Sequence, residues 1–493
     1  MIDVMTALQM IMQLDNLLGL CFGVLVGIAF GCMPGLSVNM GLALLFPLAF
    51  SFKGIGGILM LLGIYCGAIY GGSISAILLN TPGTPASVAT TLDGYPMATK
   101  LRQPGRALGL STAASTFGGI FSTVCLILLA PQLAKFALQF SKPEYFALAV
   151  FGLSIITSVS SGSVIKGIIG GLGGLFLATI GIDDMSGAVR FTFDTTYLLG
   201  GVSFIPVLIG VFAFAQVLSS IEAYYHNERA EQHMSIDRLW PTWTDIKRVA
   251  ATLLRSSFIG TFIGCIPGTG GDIASFVSYD QAKRWSRHGK NFGKGEPEGI
   301  VASESGNNAV SGGAFIPVLT LGIPGDGATA IMMGALMVQG MQPGPLLFVE
   351  KAPEVYAIFI GLLLANIVMG IMGFSLIRFF VKVVNIPIHI LLPIIVMMTF
   401  VGTFSYNSSV NDVYLMVGSG IVGYFLNKWG FSMSAVIIGI ILGGMAEQNF
   451  VGSLILSDGS FRIFFERPLC LLFLTAAALS LLSPLLGKFF RKA

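Results

Sequence analysis

The sequence predicts an all-α polytopic membrane protein built from two inverted-topology repeats whose helices are broken at Pro-Gly pairs. Three observations carry this. Charged residues are 10% of the chain and hydrophobic ones 54%, where soluble domains average about 25% charged. Charge-free runs at 16–52, 54–92, 107–134, 145–165, 195–221, 355–377, 383–411 and 468–487 each reach the roughly 20 residues that a bilayer span needs. Two Pro-Gly motifs recur at matching places in the two halves of the chain. Glycine, at 63 of 493 residues, adds to the first point, because small residues let transmembrane helices pack closely.

Composition also excludes classes. The net charge of +3 comes without a dense basic block, so no nucleic-acid partner is expected. The six cysteines lie in or beside apolar runs without a CxxC pair and read as packing residues. His226, His233 and His288 fall in polar loops and His389 follows Pro387. No catalytic, metal or cofactor cluster is predicted, although transient Na⁺ binding is compatible with the neutral oxygens described below. No Lys or Arg precedes Lys53, which argues against a cleavable signal peptide. There is no HExxH, GxSxG or GxxxxGK[ST] sequence, so neither a zinc hydrolase, a serine hydrolase nor an ATP-driven pump is indicated, and no enzyme is expected.

The repeat is read from two pairs of segments. "GCMPGLSVN" (31–39) matches "GCIPGTGGD" (264–272), and "YGGSISAILLNTPGTPAS" (70–87) resembles "SGGAFIPVLTLGIPGDGA" (311–328). The predicted organisation is therefore a first transmembrane repeat (1–220), a cytoplasmic linker (221–248) and a second repeat (249–493). Loop charge sets the orientation. The linker carries Arg229, Arg238, Lys247 and Arg248, and the 281–298 loop carries Lys283, Arg284, Arg287, Lys290 and Lys294. Both read as cytoplasmic, so the "GCIPG" segment between them is either a re-entrant hairpin or two tight spans. The matching loop of the first half has only Lys53. Its next loop has Lys100, Arg102 and Arg106, against Lys351 alone in the second half. Rich and poor loops swap between halves, as an inverted repeat requires. Further spans are expected at about 107–130, 143–160, 164–181, 196–220, 355–377, 386–404, 411–427, 431–447 and 468–487. The chain then ends at Lys488, Arg491 and Lys492 on the inside.

Unpaired backbone in lipid costs several kcal/mol per group, so a break survives where it is buried in protein or lines a cavity. Transporters place substrate and ion sites there, with helix N-termini facing anions and unwound carbonyls facing cations. Each Pro-Gly break here is followed by small polar residues. Ser37 and Asn39 follow the first. Asn80, Thr81, Gly83, Thr84 and Ser87 surround the second. Thr269, Gly270 and Asp272 follow the third, and Gly325, Asp326 and Thr329 the fourth. These are the candidate substrate and ion ligands, with the Thr84 and Thr329 hydroxyls expected beside helix N-termini. Asp272 and Asp326 are isolated carboxylates that either couple ion movement or cap helices. Asp93 in "LDGYP" reads as a turn residue. Glu304, Ser305, Asn307 and Asn308 in "SESGNNAVSGG" form a Gly-flanked polar cluster, read as a cavity lining or a capped helix start.

These motifs, with "LDGYPMA", "SESGNNAVSGGAFIPVLTLGIPG" and "IFFERP" (463–468), resemble the large membrane subunit of the tripartite tricarboxylate transporters over nearly the whole chain. The resemblance implies a bacterial inner-membrane permease. Its partners would be a small membrane subunit of about four spans and a periplasmic solute-binding protein. It would take up citrate-like or other organic anions by symport with Na⁺ or H⁺. A channel, for which no repeated filter motif is present, and a scaffold subunit are the competing readings.

Overall fold

The computed structural model describes residues 2–52, 54–159, 164–183, 185–224 and 236–490. Lys53, His226, Arg229, His233, Arg491 and Lys492, used above to read polarity and topology, lie outside the described residues. The first half runs α1 (Ile2–Ile11), α2 (Leu14–Cys32), α3 (Val38–Ala49), α4 (Gly56–Leu79), α5 (Val88–Thr99), α6 (Pro104–Ala137), α7 (Lys142–Val159), α8 (Val164–Ala178), α9 (Phe204–Ile209) and α10 (Ala215–Tyr224). A π-helical turn at Gly210–Phe214 joins α9 to α10. The second half runs α11 (Trp243–Gly264), α12 (Gly270–Trp285), α13 (Pro297–Leu321), α14 (Gly327–Val338), α15 (Leu347–Glu350), α16 (Ala352–Ser375), α17 (Ile377–Val384), α18 (Ile388–Asn407), α19 (Val410–Lys428), α20 (Met433–Leu456), α21 (Ile463–Glu466) and α22 (Pro468–Phe490). A two-residue antiparallel ladder, Gly181–Ile182 with Val189–Arg190, is the strand pairing among the described residues. Seven described helices are long and apolar enough to cross a membrane: α2, α4, α6, the α9–α10 rod, α16, α18 and α20. The chain is an all-α multi-pass membrane protein.

Helix ends follow local chemistry. Ser37 accepts from the Met40 N–H at 3.1 Å and starts α3. Thr242 and Asp245 close a capping box on α11. Pro104 and Pro297 sit in the first turns of α6 and α13, where their missing N–H is not needed. Three expectations are corrected. The span expected from about 196 begins as a 3₁₀ turn at Thr196–Gly200, and its helix starts only at Phe204. "LDGYP" is no turn: it lies inside α5. The "SESGNNAVSGG" stretch lies in the middle of α13, not at its start.

Two helices form the centre. Every residue of α4 from Gly56 to Leu78 is buried, and so is every residue of α13 from Pro297 to Thr320. For α4 this is what an apolar helix without a polar face must do. It packs against α2 through interlocked glycines. Gly23, Gly27 and Gly31 of α2 meet the backbone of Met60, Ile64 and Ala68, while Gly63, Gly67 and Gly71 of α4 meet that of Leu20, Val24 and Ile28. Small residues at four-residue spacing allow this backbone contact, which supplies dispersion where lipid offers no hydrophobic drive. On α13, Gly260 of α11 rests on the Gly306 carbonyl and Gly312 on Ser122 of α6. Contacts cross the halves: α6 packs along α13, α4 along α16, and α8 along α20.

Candidate functional site

The four Pro-Gly stretches are breaks, and they come in two kinds. The first (33–37) and third (265–269) are turns in which Pro is followed by a glycine at positive φ, 93° at Gly35 and 83° at Gly268. Leu36 N–H donates to the Met33 carbonyl at 3.2 Å, and Thr269 N–H to the Ile266 carbonyl at 3.4 Å. Pro at the second turn position with a positive-φ residue at the third is what this turn demands. The second (80–87) and fourth (322–326) instead follow a left-handed C-cap, Asn80 at φ 57° and Gly322 at φ 69°.

The breaks meet in a closed ring. Gly83 lies against the Gly31 carbonyl, joining the second break to the first. Gly268 N–H donates to the Gly325 carbonyl at 2.6 Å, joining the third to the fourth. Across the halves, a Cβ on Gly327 would lie 2.6 Å from Asn39 Nδ2, and one on Gly271 would lie 3.2 Å from Ala86 Cβ. Breaks lead into the N-termini of α3, α5, α12 and α14, so four positive dipole ends gather beside the ring.

The predicted residues fall into several groups. Ser37 caps α3, and the Asn39 side chain faces the start of α14. Asn80 and Thr81 are exposed, whereas Gly83 and Thr84 are buried. The Thr84 hydroxyl pairs with Ser87 Oγ at 3.1 Å. The Thr269 hydroxyl donates to the Ile263 and Ile266 carbonyls at 2.6 and 2.7 Å. Gly270 at φ 62° has the Asp326 Cβ about 4.0 Å from its own Cβ position. Asp272 is exposed in the first turn of α12, and its Oδ1 would lie 2.7 Å from a Cβ on that same Gly270. Asp326 is the N-cap of α14: its Oδ1 accepts from Thr329 N–H at 2.8 Å, and Thr329 Oγ1 accepts from Asp326 N–H at 2.9 Å. Gly325 serves through its carbonyl, as above.

Glu304 is fully buried in the middle of α13. Thr90 Oγ1 of α5 donates to its Oε1, and Ser115 Oγ of α6 donates to Oε2 at 2.9 Å. Asn308 Nδ2 bonds the Glu304 carbonyl at 3.0 Å and stands 3.5 Å from Oε2. Every partner is neutral. Ser305 bonds back to the Val301 carbonyl at 2.7 Å. Asn307 is 1% exposed, and neither end of its amide has a partner; it faces Gly271 at the start of α12.

Sequence reading missed two residues. Asp93, read as a turn residue, is fully buried. Its Oδ1 accepts from the N–H groups of Gly293, Gly295 and Glu296 at 2.9, 2.8 and 2.7 Å, and its Oδ2 from the Tyr279 hydroxyl at 2.7 Å. It ties α5 of the first half to α12 and the 293–296 loop of the second. Tyr65 of α4, 1% exposed, has an unpartnered hydroxyl, and its ring centroid lies 6.0 Å from that of Phe315 of α13. In sequence it is one aromatic among many.

The chain is a multi-pass helical membrane protein whose polar breaks gather beside two buried central helices, an arrangement suited to a transporter. The family model "Tripartite tricarboxylate transporter TctA family" matches residues 17–438, and the chain belongs to that family. Among its relatives is a protein of Agrobacterium vitis described as "Uncharacterized 52.8 kDa protein in TAR-I ttuC' 3'region", 37% identical over 453 residues, which is 91% of this chain and 89% of the relative. Another from the same organism, "Uncharacterized protein in TAR-II ttuC' 3'region", is 35% identical over 210 residues, 43% of this chain and 87% of that relative. No solved structure matches.

Proposed function

We propose that this chain is the large permease subunit of a binding-protein-dependent tripartite transporter in a bacterial inner membrane. It takes up a tricarboxylate such as citrate, or another organic anion, by symport with Na⁺ or H⁺. A small membrane subunit of about four spans and a periplasmic solute-binding protein would complete the system. The observation that carries this reading is the ring of four breaks beside α4 and α13, with four helix N-termini around it. Broken backbone at depth is tolerated where it is buried in protein or serves a cavity, and N-termini favour an anion. The Asp272 and Asp326 carboxylates beside the ring suit the co-transported cation.

Glu304 is the proposed coupling residue, because a carboxyl buried among neutral groups must exchange a proton or a cation rather than keep a fixed counter-charge. Uptake of an organic-acid panel into proteoliposomes holding all three components, with Na⁺ and pH gradients imposed separately, tests both statements. Glu304→Gln is expected to fold normally and to lose gradient-driven accumulation by about tenfold or more, since its amide stays neutral and cannot cycle between charge states. No gradient-driven uptake by the parent protein would overturn the transport reading. Parent-level accumulation by the variant would overturn the coupling role alone.

The two turn-type breaks and the two left-handed-cap breaks support a duplicated architecture, which we take as two inverted repeats, 1–220 and 249–493, about the 221–248 linker. Ser51→Cys and Lys290→Cys, placed singly in a chain without native cysteines, are expected to react with an impermeant thiol reagent from opposite sides of the membrane. Reaction from one side only would rule out the inverted arrangement.

A further inference from the structure

Six buried side-chain atoms lack a hydrogen-bond partner among the described residues, and three of them belong to Tyr65 and Asn307. The positions of these two residues are related. Tyr65 stands fifteen residues before Asn80, the left-handed cap that ends α4, and Asn307 stands fifteen residues before Gly322, the left-handed cap that ends α13. On an α-helix the same count back from the same cap gives the same height and facing. The two fully buried central helices therefore each carry an unsatisfied polar group at an equivalent place.

Asn307 also faces a break of the ring. Asn307 meets Gly271 at the start of α12, which in turn lies beside Ala86 of the other half. Tyr65 packs against α13 itself, its ring centroid 6.0 Å from that of Phe315. Gly270, next to Gly271, adjoins Asp326, so Asn307 borders the region where breaks of the two halves meet, and Tyr65 holds the equivalent place on the other central helix. A buried donor left unpaired is destabilising, and native proteins keep few of them. Meanwhile the hydroxyls first expected to serve as ligands are occupied: Thr84 by Ser87, Thr329 by Asp326 and Thr269 by two carbonyls.

We infer that Tyr65 and Asn307 are the two side-chain donors, one from each half, to the oxyanion that this chain carries; the inference rests on the transport reading above. The phenol O–H and the amide N–H₂ donate to carboxylate oxygens, and Asn307 Oδ1 remains free to accept from a substrate hydroxyl or to meet the coupled cation.

The test is titration of the purified full-length chain in lipid nanodiscs with citrate, malate and tartrate, with and without Na⁺. Tyr65→Phe and Asn307→Leu remove the donors at nearly constant volume, and each is expected to raise Kd about tenfold or more for the acid that the parent binds. Thr403→Val, which removes a buried unpartnered hydroxyl on α18, is expected to leave Kd unchanged. Should Asn307→Leu fail to give monodisperse protein, Asn307→Asp replaces it. Its carboxylate would repel the anion and abolish binding, so retained binding overturns the assignment. If the parent binds none of the acids, the assignment of Tyr65 and Asn307 to an anion site of this chain is overturned, while the three-component uptake experiment decides the transport reading. If the parent binds and either donor variant stays within about twofold of its Kd, the transport reading stands and the pairing of Tyr65 with Asn307 is wrong.

Discussion

Replacing Asp93 by alanine is expected to remove most of the folded protein, while Asp93→Asn keeps most of it. The asymmetry comes from how the carboxylate is used. All three backbone donors, from Gly293, Gly295 and Glu296, converge on Oδ1, and Oδ2 takes only the Tyr279 hydroxyl. Alanine leaves three N–H groups without an acceptor where the loop meets α5. Each unsatisfied buried group costs about 1–3 kcal/mol, and two of the three, at Gly295 and Glu296, are buried while Gly293 is exposed, so the total is about 2 kcal/mol or more. Marginal stability makes that a large fraction of what holds the fold. Asparagine still offers Oδ1 to the three donors, and the Tyr279 hydroxyl can rotate to accept from the new amide N–H₂. Its loss is confined to the extra strength that a charged acceptor gives. Melting temperature and monodisperse yield in detergent check the pair. An alanine variant that melts with the parent would show that the loop holds its place without Asp93.

Gly67→Val should do comparable damage at the α2–α4 contact. A Cβ at Gly67 would stand 2.5 Å from the Val24 carbonyl oxygen and 2.9 Å from the Ile28 nitrogen. Both are helix backbone, so no side chain can rotate away, and α2 must shift as a body. That shift would pull apart the contacts at Gly23, Gly27, Gly31, Gly63 and Gly71 together, because they are one interlocked row. Overpacking costs about 1–3 kcal/mol when neighbours relax, and this site belongs at or above the top of that range. About 3 kcal/mol is roughly a hundredfold in the folded-to-unfolded ratio. Gly173→Ala and Gly418→Ala, inside α8 and α19 with no atom within 4 Å of the new Cβ, are the controls. They are expected to be neutral or slightly stabilising, since alanine gives up less backbone entropy in a helix. Equal yields for Gly67→Val and Gly173→Ala would mean that the row of glycines is not what positions α2 on α4.

Much of the architecture was determined by local sequence. Apolar runs fixed where the long helices lie, because a chain with few charges must place them in lipid or bury them. The Pro-Gly pairs determined the breaks, because proline withholds a donor, and at Gly35 and Gly268 the residue after it takes positive φ, which glycine does at no steric cost. Ser37 could be read near the start of α3 for the same reason, since a cap acts within its own turn. The family could be read as well, from the breaks together with "LDGYPMA", "SESGNNAVSGG" and "IFFERP".

Tertiary structure decided what each polar residue does. Asp-Gly at 93–94 has turn chemistry, yet three amides two hundred residues away hold Asp93 inside α5, and only the packing of α5 on the second half brings them there. Thr84 and Thr329 look like ligands in sequence, but their own turns consume their hydroxyls. Glu304 and Asn307 sit three residues apart in one polar cluster. One is fully occupied by Thr90 and Ser115 from two other helices, and the other is left open, which no spacing within the cluster can tell. Tyr65 carried no local signal, and its meaning comes from its distance to Asn80 set beside that of Asn307 to Gly322. A hydrogen bond depends on which donor and acceptor the fold brings within about 3 Å. Sequence determines the capacity of each side chain to bond, and the meeting of helices from both halves determines which capacities remain unspent.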